Sequence, residues 1–173
     1  MDWQTLLCDD RIRSYKKQSS TDLRTEFEKD YHRIIGSASF RRLQDKTQVF
    51  PLDRSDFIRT RLTHSLEVSS LAKSLGQNIS ESIRTIIKDK TFTPEHKAAV
   101  CDILQCAGLI HDIGNPPFGH FGETAIQDWF KKNLERLTFR GRTLAEILEP
   151  QMVQDFCHFE GNTQAFRVVT RLH

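Results

Sequence analysis

The stretch RTRLTHSLEVSSLAKSLGQNISESIRTIIK, residues 59–88, decides the fold class. Its large apolar side chains return every three or four residues, which is the period of an α-helix with one apolar face. We therefore expect one long helix that packs against a neighbour through this face, with Gly76 as a point where it could bend. The apolar positions are Val68, Leu71, Ala72, Leu75, Ile79, Ile83 and Ile86.

A second long helix is predicted from Thr93 to about His111. Thr93 and Pro94 are a typical helix start, because threonine caps the amino end and proline fits the first turn. No run of residues alternates with a period of two, so the predicted fold is all-α. Helical spacing also marks residues 21–44, with an interruption near Gly36, and residues 123–134, 143–156 and 160–172, whereas 45–57 and 114–122 are predicted loops.

The composition is that of a soluble globular domain. Hydrophobic residues make up 38% and charged residues 28%, and the net charge of +2 does not by itself indicate a nucleic-acid partner. The four cysteines form no C-x-x-C pair, so we expect a reducing, cytoplasmic location. The polar start and the lack of a long apolar run predict no signal peptide and no membrane span. Residues 1–20 are predicted to form a loose arm before the domain.

Histidines continue the apolar stripes of both long helices. His64 lies four residues before Val68, and His111 lies eleven residues after Val100 and is followed by Asp112. Two stripes that each finish in histidine can bring their imidazoles together at one end of a helix pair. A single histidine on an apolar face is more often a core residue. Two histidines, a neighbouring aspartate and a Gly/Pro loop together predict a divalent-metal site, since imidazole and carboxylate are natural metal ligands.

Four strings resemble a known family, and they are RRLQDKTQVFPL (41–52), RTRLTHSLEVS (59–69), HDIGNPPFGHFGETAIQDWF (111–130) and CHFEGNTQAFRVV (157–169). Together they are similar to the bacterial deoxyguanosinetriphosphate triphosphohydrolases (dGTPases) of the HD-domain superfamily. The resemblance runs from about residue 26 to the end and covers the N-terminal part of the family's usual length. It implies an HD-domain helical bundle over residues 21–173 that is truncated at its C-terminal end.

The resemblance implies the hydrolysis of dGTP, or of dNTPs, to deoxynucleoside and inorganic triphosphate. His64, His111 and Asp112 would hold a divalent metal, Mg or Mn, which activates water and neutralises phosphate charge. His120 matches the family's catalytic histidine and would transfer a proton, with Glu123 holding its imidazole. A helix-starting acid is the simpler interpretation of Glu123 alone.

Three further residues are implied to bind substrate. Arg61 lies one turn before His64, and its forked donors suit a triphosphate, although a salt bridge to a carboxylate is the alternative. Gln48 matches the position that contacts the sugar, and His158 matches a pocket histidine near the phosphates. Glu160 and Asn162 are more simply interpreted as helix caps. Core packing is expected for Phe118, Phe121, Trp129 and Phe130.

The sequence also departs from the family pattern. The fourth metal ligand, an aspartate, is expected beyond residue 173, so we expect the isolated chain to be inactive or weakly active. The family implies a homo-oligomer, and some relatives bind single-stranded DNA. That makes DNA a minor hypothesis for the basic cluster Arg41, Arg42 and Lys46, for which a solvated face is the simpler interpretation. Two other functions stay open: an HD phosphohydrolase for another nucleotide, and a non-catalytic nucleotide-binding or assembly fragment.

Overall fold

Helices account for almost all the regular structure in residues 2–11, 21–48 and 57–172, which are the residues that the computed structural model describes. The all-α prediction is confirmed, with one antiparallel pair of two-residue strands as the exception in the described part of the chain. The chain divides into two compact units, residues 1–110 and 111–173. Most of the predicted loop at 45–57 and much of the predicted arm at 1–20 lie outside the described residues.

The helices of the first unit begin where short polar side chains cap them. Thr25 and Glu28 form a capping box, and the Thr60 side chain accepts a hydrogen bond from the Thr63 N–H. Ser37 caps the short helix that follows the predicted interruption near Gly36. The elements are α1 (Trp3–Leu6), α2 (Glu26–Gly36), α3 (Ala38–Arg41), a 3₁₀ turn (Arg42–Asp45), α4 (Arg61–Ser82) with a π-helical turn (Ile83–Ile87), and α5 (Pro94–Ile110).

The predicted packing face of α4 is wrong. Leu71 and Leu75 are 71% and 56% exposed, whereas Ser65 and Ser80 are fully buried. The reason is steric, because small side chains let α4 and α5 approach backbone to backbone. A Cβ on Gly108 of α5 would lie 2.6 Å from the Ser69 Cα, closer than such atoms come. Contact between the closely approaching backbones therefore replaces the contact that large apolar side chains would have made.

Gly76 serves the same close approach and does not interrupt the helix. Helix α4 runs without interruption from Arg61 to Ser82. A Cβ at position 76 would meet the Leu104 side chain at 3.0 Å and the Cys101 Cα at 3.3 Å. The predicted weak point is therefore a contact between α4 and α5.

Large buried side chains occupy other parts of the first unit. Leu43 and Leu109 are fully buried, and Phe40 and Phe92 are nearly so. At the amino end, the Trp3 indole N–H donates a hydrogen bond of 2.9 Å to Asp89, and its ring centroid lies 4.8 Å from that of Phe92. The start of the predicted arm is thus anchored beside the connection between α4 and α5.

Burial keeps one of the four cysteine thiols in its protonated form. Cys8, Cys101, Cys106 and Cys157 are all free. Burial raises the pKa of Cys106 to about 11, and its S–H donates to the Phe27 carbonyl oxygen at 3.8 Å. This thiol is therefore protonated at neutral pH and is not a nucleophile.

Among the described residues, none of the helices combines the length and the apolarity that crossing a bilayer requires.

The second unit begins its main helix four residues earlier than expected. Its elements are α6 (Gly119–Asn133), β1 (Thr138–Phe139), β2 (Arg142–Thr143), α7 (Leu144–Ile147), α8 (Pro150–Cys157), α9 (Gly161–Arg167) and a π-helical turn (Val168–Leu172). His120 therefore lies in the first turn of α6, and its predicted place on the Gly/Pro loop is wrong. Phe118, in the left-handed region at φ 66°, turns the chain into this helix.

Two small features of this unit also differ from expectation. Strands β1 and β2 are too short to show alternation in the sequence, and Arg140-Gly141, both with positive φ, join them as a tight hairpin. Phe130 stacks on Phe156 with ring centroids 4.3 Å apart. Phe118 and Phe121 are largely exposed, so the expectation that they pack in the core is wrong.

Gly108→Ala is expected to destabilise the chain by about 1–3 kcal/mol, because the added Cβ collides with the backbone of α4. The measurement is the midpoint of urea unfolding. Gly36→Ala is the matched control, since a Cβ at the end of α2 meets nothing within 4 Å. Equal midpoints for both variants would contradict the close approach of α4 and α5.

Candidate functional site

A histidine–carboxylate pair stands at the amino end of α6. The Nδ1 atom of His120 lies 2.7 Å from Oε2 of Glu123, one helical turn later. The His120 side chain is 92% exposed, whereas that of Glu123 is only 9% exposed. A carboxylate can only accept a hydrogen bond, so Nδ1 carries the proton and Nε2 is the nitrogen left to exchange a proton with a ligand.

Glu123 raises the pKa of His120. The hydrogen bond between the two side chains is the largest cause, and the negative charge of the carboxylate is the second. Glu160 adds a weaker attraction for the charged imidazole. The protonated form of His120 therefore persists to a higher pH than that of a free imidazole, as suits a group that gives and takes protons near neutrality.

The other oxygen of Glu123 is also engaged. The Gly161 N–H, at the start of α9, donates a hydrogen bond of 2.7 Å to Oε1. This bond is buried and joins residues 38 positions apart. The predicted pairing of His120 with Glu123 is thus accompanied by a main-chain contact that sequence spacing does not reveal.

Asp112 is held in a similar way in the turn after α5. Its carboxylate is buried and accepts a hydrogen bond from the Asn115 side-chain amide. The main chain closes the same turn, because the Asn115 N–H donates to the Asp112 carbonyl oxygen at 3.3 Å. His111 precedes it and is half-buried. Asn115 was not among the predicted site residues, although its place in the quoted HDIGN string was a usable signal.

In the first unit, two predicted substrate residues lie on neighbouring segments of the chain. An antiparallel bridge pairs Thr47 with Thr60. The Gln48 N–H donates to the Arg59 carbonyl oxygen, and the Arg61 N–H donates to that of Lys46 at 2.8 Å. Gln48 and Arg61 therefore sit on paired segments at the start of α4, where Arg61 is buried. His64 follows one turn later and is half-buried, on the same side of α4 as Arg61.

The remaining predicted residues lie in the connection between α8 and α9 and in the first turn of α9. The Nδ1 atom of His158 lies 3.1 Å from the Gln154 carbonyl oxygen, and within the described residues no hydrogen bond joins His158 to the His120–Glu123 pair. Glu160 caps α9 by accepting from the Thr163 N–H at 2.7 Å, and Asn162 donates to Glu160. The interpretation of Glu160 as a cap is confirmed.

The metal ligands stay a prediction. Across residues 2–11, 21–48 and 57–172, no group of three or more His, Cys, Asp or Glu side chains is arranged to hold a metal ion. His64 belongs to the first compact unit, and His111 and Asp112 belong to the second.

Comparison with known proteins identifies relatives over the whole chain. The family model described as "HD domain" matches residues 61–159. A deoxyguanosinetriphosphate triphosphohydrolase-like protein of Listeria monocytogenes is 55% identical over 100% of the chain, and one of Synechocystis is 47% identical over 99%. A deoxyguanosinetriphosphate triphosphohydrolase of Yersinia enterocolitica is 41% identical over 92%. The chain spans 38%, 38% and 36% of the lengths of these relatives.

Glu123→Gln is expected to lower the pKa of His120, because the amide keeps a similar shape but removes the negative charge that favours the protonated imidazole. The measurement is a pH titration of the imidazole proton resonances by NMR. Glu135→Gln is the matched control, because Glu135 is exposed and lies just after the end of α6, and it should leave the titration of His120 unchanged. A pKa that stays the same or rises in Glu123→Gln would contradict the electrostatic role of this carboxylate.

Proposed function

Because the chain belongs to the HD domain family, we propose that it contributes to the metal-dependent hydrolysis of dGTP, or of dNTPs more broadly. The names of the relatives point to this substrate. The observation that carries the proposal is the hydrogen bond between Nδ1 of His120 and Oε2 of Glu123, which lie 2.7 Å apart. It provides an exposed, oriented imidazole of raised pKa, which is what a proton transfer to or from a phosphate ester requires.

The proposed reaction breaks the bond between the α-phosphorus and the 5′ oxygen. A water oxygen forms the new bond to that phosphorus, and the leaving 5′ oxygen takes up a proton. The products are deoxyguanosine and inorganic triphosphate. His120 is proposed to move a proton through Nε2 while Glu123 holds Nδ1 and balances the charge of the imidazolium.

His64, His111 and Asp112 are the residues proposed to hold a divalent metal, Mg or Mn. Two imidazoles and one carboxylate are suitable donors for such an ion. The burial of Asp112 and its bond from Asn115 support the assignment, since carboxylates that bind metals are usually held by a further hydrogen bond. When bound, the metal would polarise the phosphate and lower the pKa of a water molecule.

Three residues are proposed to bind the substrate. The guanidinium of Arg61 would pair with the triphosphate, in keeping with its place one turn before His64. Gln48, on the segment paired with the start of α4, would contact the sugar. His158 would approach the phosphates. A homo-oligomer and a cytoplasmic location belong to the same proposal, and the four free thiols agree with a reducing compartment.

Any hydrolysis of dGTP by the isolated chain is expected to be slow and to release triphosphate and deoxyguanosine in equal amounts. The measurement uses an excess of chain over dGTP with Mn²⁺, and separates the products by ion-exchange chromatography. His120→Ala should abolish the release, and His32→Ala, on α2 in the first unit, is the matched control. Formation of dGMP with pyrophosphate, or of dGDP with phosphate, would refute the proposed bond cleavage.

Asp112→Asn is expected to weaken Mn²⁺ binding at least about tenfold, because an amide replaces a charged ligand. The affinity is measured by the loss of the free Mn²⁺ signal in electron paramagnetic resonance. Asp128→Asn, on the exposed side of α6, is the control. Equal affinities in the two variants would remove Asp112 from the proposed ligands.

A further inference from the structure

Gly161 is the main-chain hydrogen-bond partner of the Glu123 carboxylate. Oε1 of Glu123 accepts from the Gly161 N–H at 2.7 Å, while Oε2 lies 2.7 Å from His120. Each oxygen thus has a partner on a different element, α9 for one and α6 for the other. A carboxylate held at both oxygens cannot rotate about its last bond without losing a partner.

Space, and not backbone conformation, requires glycine here. Gly161 is not among the residues with positive φ, so its backbone would accept other residues. A Cβ at this position, however, would lie 1.9 Å from Oδ1 of Asn115 and 2.8 Å from Oε1 of Glu123. Any side chain at position 161 must therefore displace the asparagine, the glutamate or both.

The neighbouring loop prevents Gly161 from moving aside. A Cβ on Gly114 would lie 2.3 Å from the Gly161 carbonyl oxygen and 2.1 Å from the Ala165 nitrogen, so the loop backbone rests directly on the first turn of α9. Asn115, next along this loop, also donates to Asp112. Gly161 therefore lies beside Glu123, which is hydrogen-bonded to His120, and beside Asn115, which is hydrogen-bonded to Asp112.

We propose that Gly161 is a positioning residue, which fixes Glu123 through its main-chain N–H and leaves room for Asn115 beside it. It acts through Glu123 on His120 and does not itself touch the substrate. Its importance for catalysis rests on the function proposed above, whereas its effect on the two side chains does not.

The experiment replaces Gly161 by alanine in the 173-residue chain and follows the titration of His120 by NMR. The pKa of His120 is expected to fall below that of the unmodified chain, because a displaced Glu123 no longer stabilises the imidazolium. Gly36→Ala is the matched control, since its Cβ meets nothing within 4 Å. An unchanged pKa of His120 in a folded Gly161→Ala variant would overturn the proposal.

A second measurement applies even if Gly161→Ala does not fold. Hydrogen exchange of the Gly161 amide is compared between the unmodified chain, Glu123→Ala and the control Glu135→Ala. Exchange should accelerate at least about tenfold in Glu123→Ala only, relative to the amides of α6. Equal exchange in all three chains would overturn the proposal. Neither measurement needs substrate, so a failure to hydrolyse dGTP would count against the proposed function and not against the role of Gly161.

Discussion

The buried carboxylate of Glu123 is the group on which the arrangement of the second unit depends. An ionised side chain can be buried only where hydrogen bonds replace those it loses with water. Here the replacements come from His120 on the same helix and from the main chain of α9. The requirement to satisfy both oxygens therefore joins the beginning of α6 to the beginning of α9, and it orients an exposed imidazole as a result.

The packing of the first unit depends on a different constraint. The residues at the contact between α4 and α5 must be small. Ser69 and Gly108 meet backbone to backbone, and the Ser69 hydroxyl donates to the Gln105 carbonyl oxygen at 2.8 Å. A serine hydroxyl can be buried in this way because the neighbouring helix supplies an acceptor. Arg61 and His64 begin the same helix, so the line along which α4 rests on α5 also sets the position of these side chains.

Much of the helical fold could be predicted from the sequence, because caps and periodicity are local. Thr60 and Thr93 mark real helix starts, and the interruption near Gly36 is present. The packed face of α4 could not be predicted, because hydrophobicity favours Leu71 whereas steric fit favours Ser65 and Ser69. The start of α6 was misplaced because the left-handed conformation of Phe118 replaces the expected capping side chain.

The same distinction between local signals and packing applies to the candidate site. The pairing of His120 with Glu123 follows from their spacing of three residues, which is a neighbouring position on any helix. The contact of Glu123 with Gly161 depends on the packing of two helices, and no local pattern encodes it. Asn115 lies between these cases, since its bond to Asp112 is local but its contact with Gly161 is not.

The contact between α4 and α5 has a consequence for how sequences of this kind can change over evolutionary time. The large residues Leu71 and Leu75 face outward in the described structure, so within this chain the helix contact itself does not restrict their replacement. Gly108 is chemically plain, yet a single added methyl group there would collide with the backbone of α4 at Ser69, and one at Gly76 would press on Leu104 and Cys101 of α5. Mutational drift along α4 should thus be slowest at its smallest residues, the reverse of the order that hydrophobicity alone would suggest.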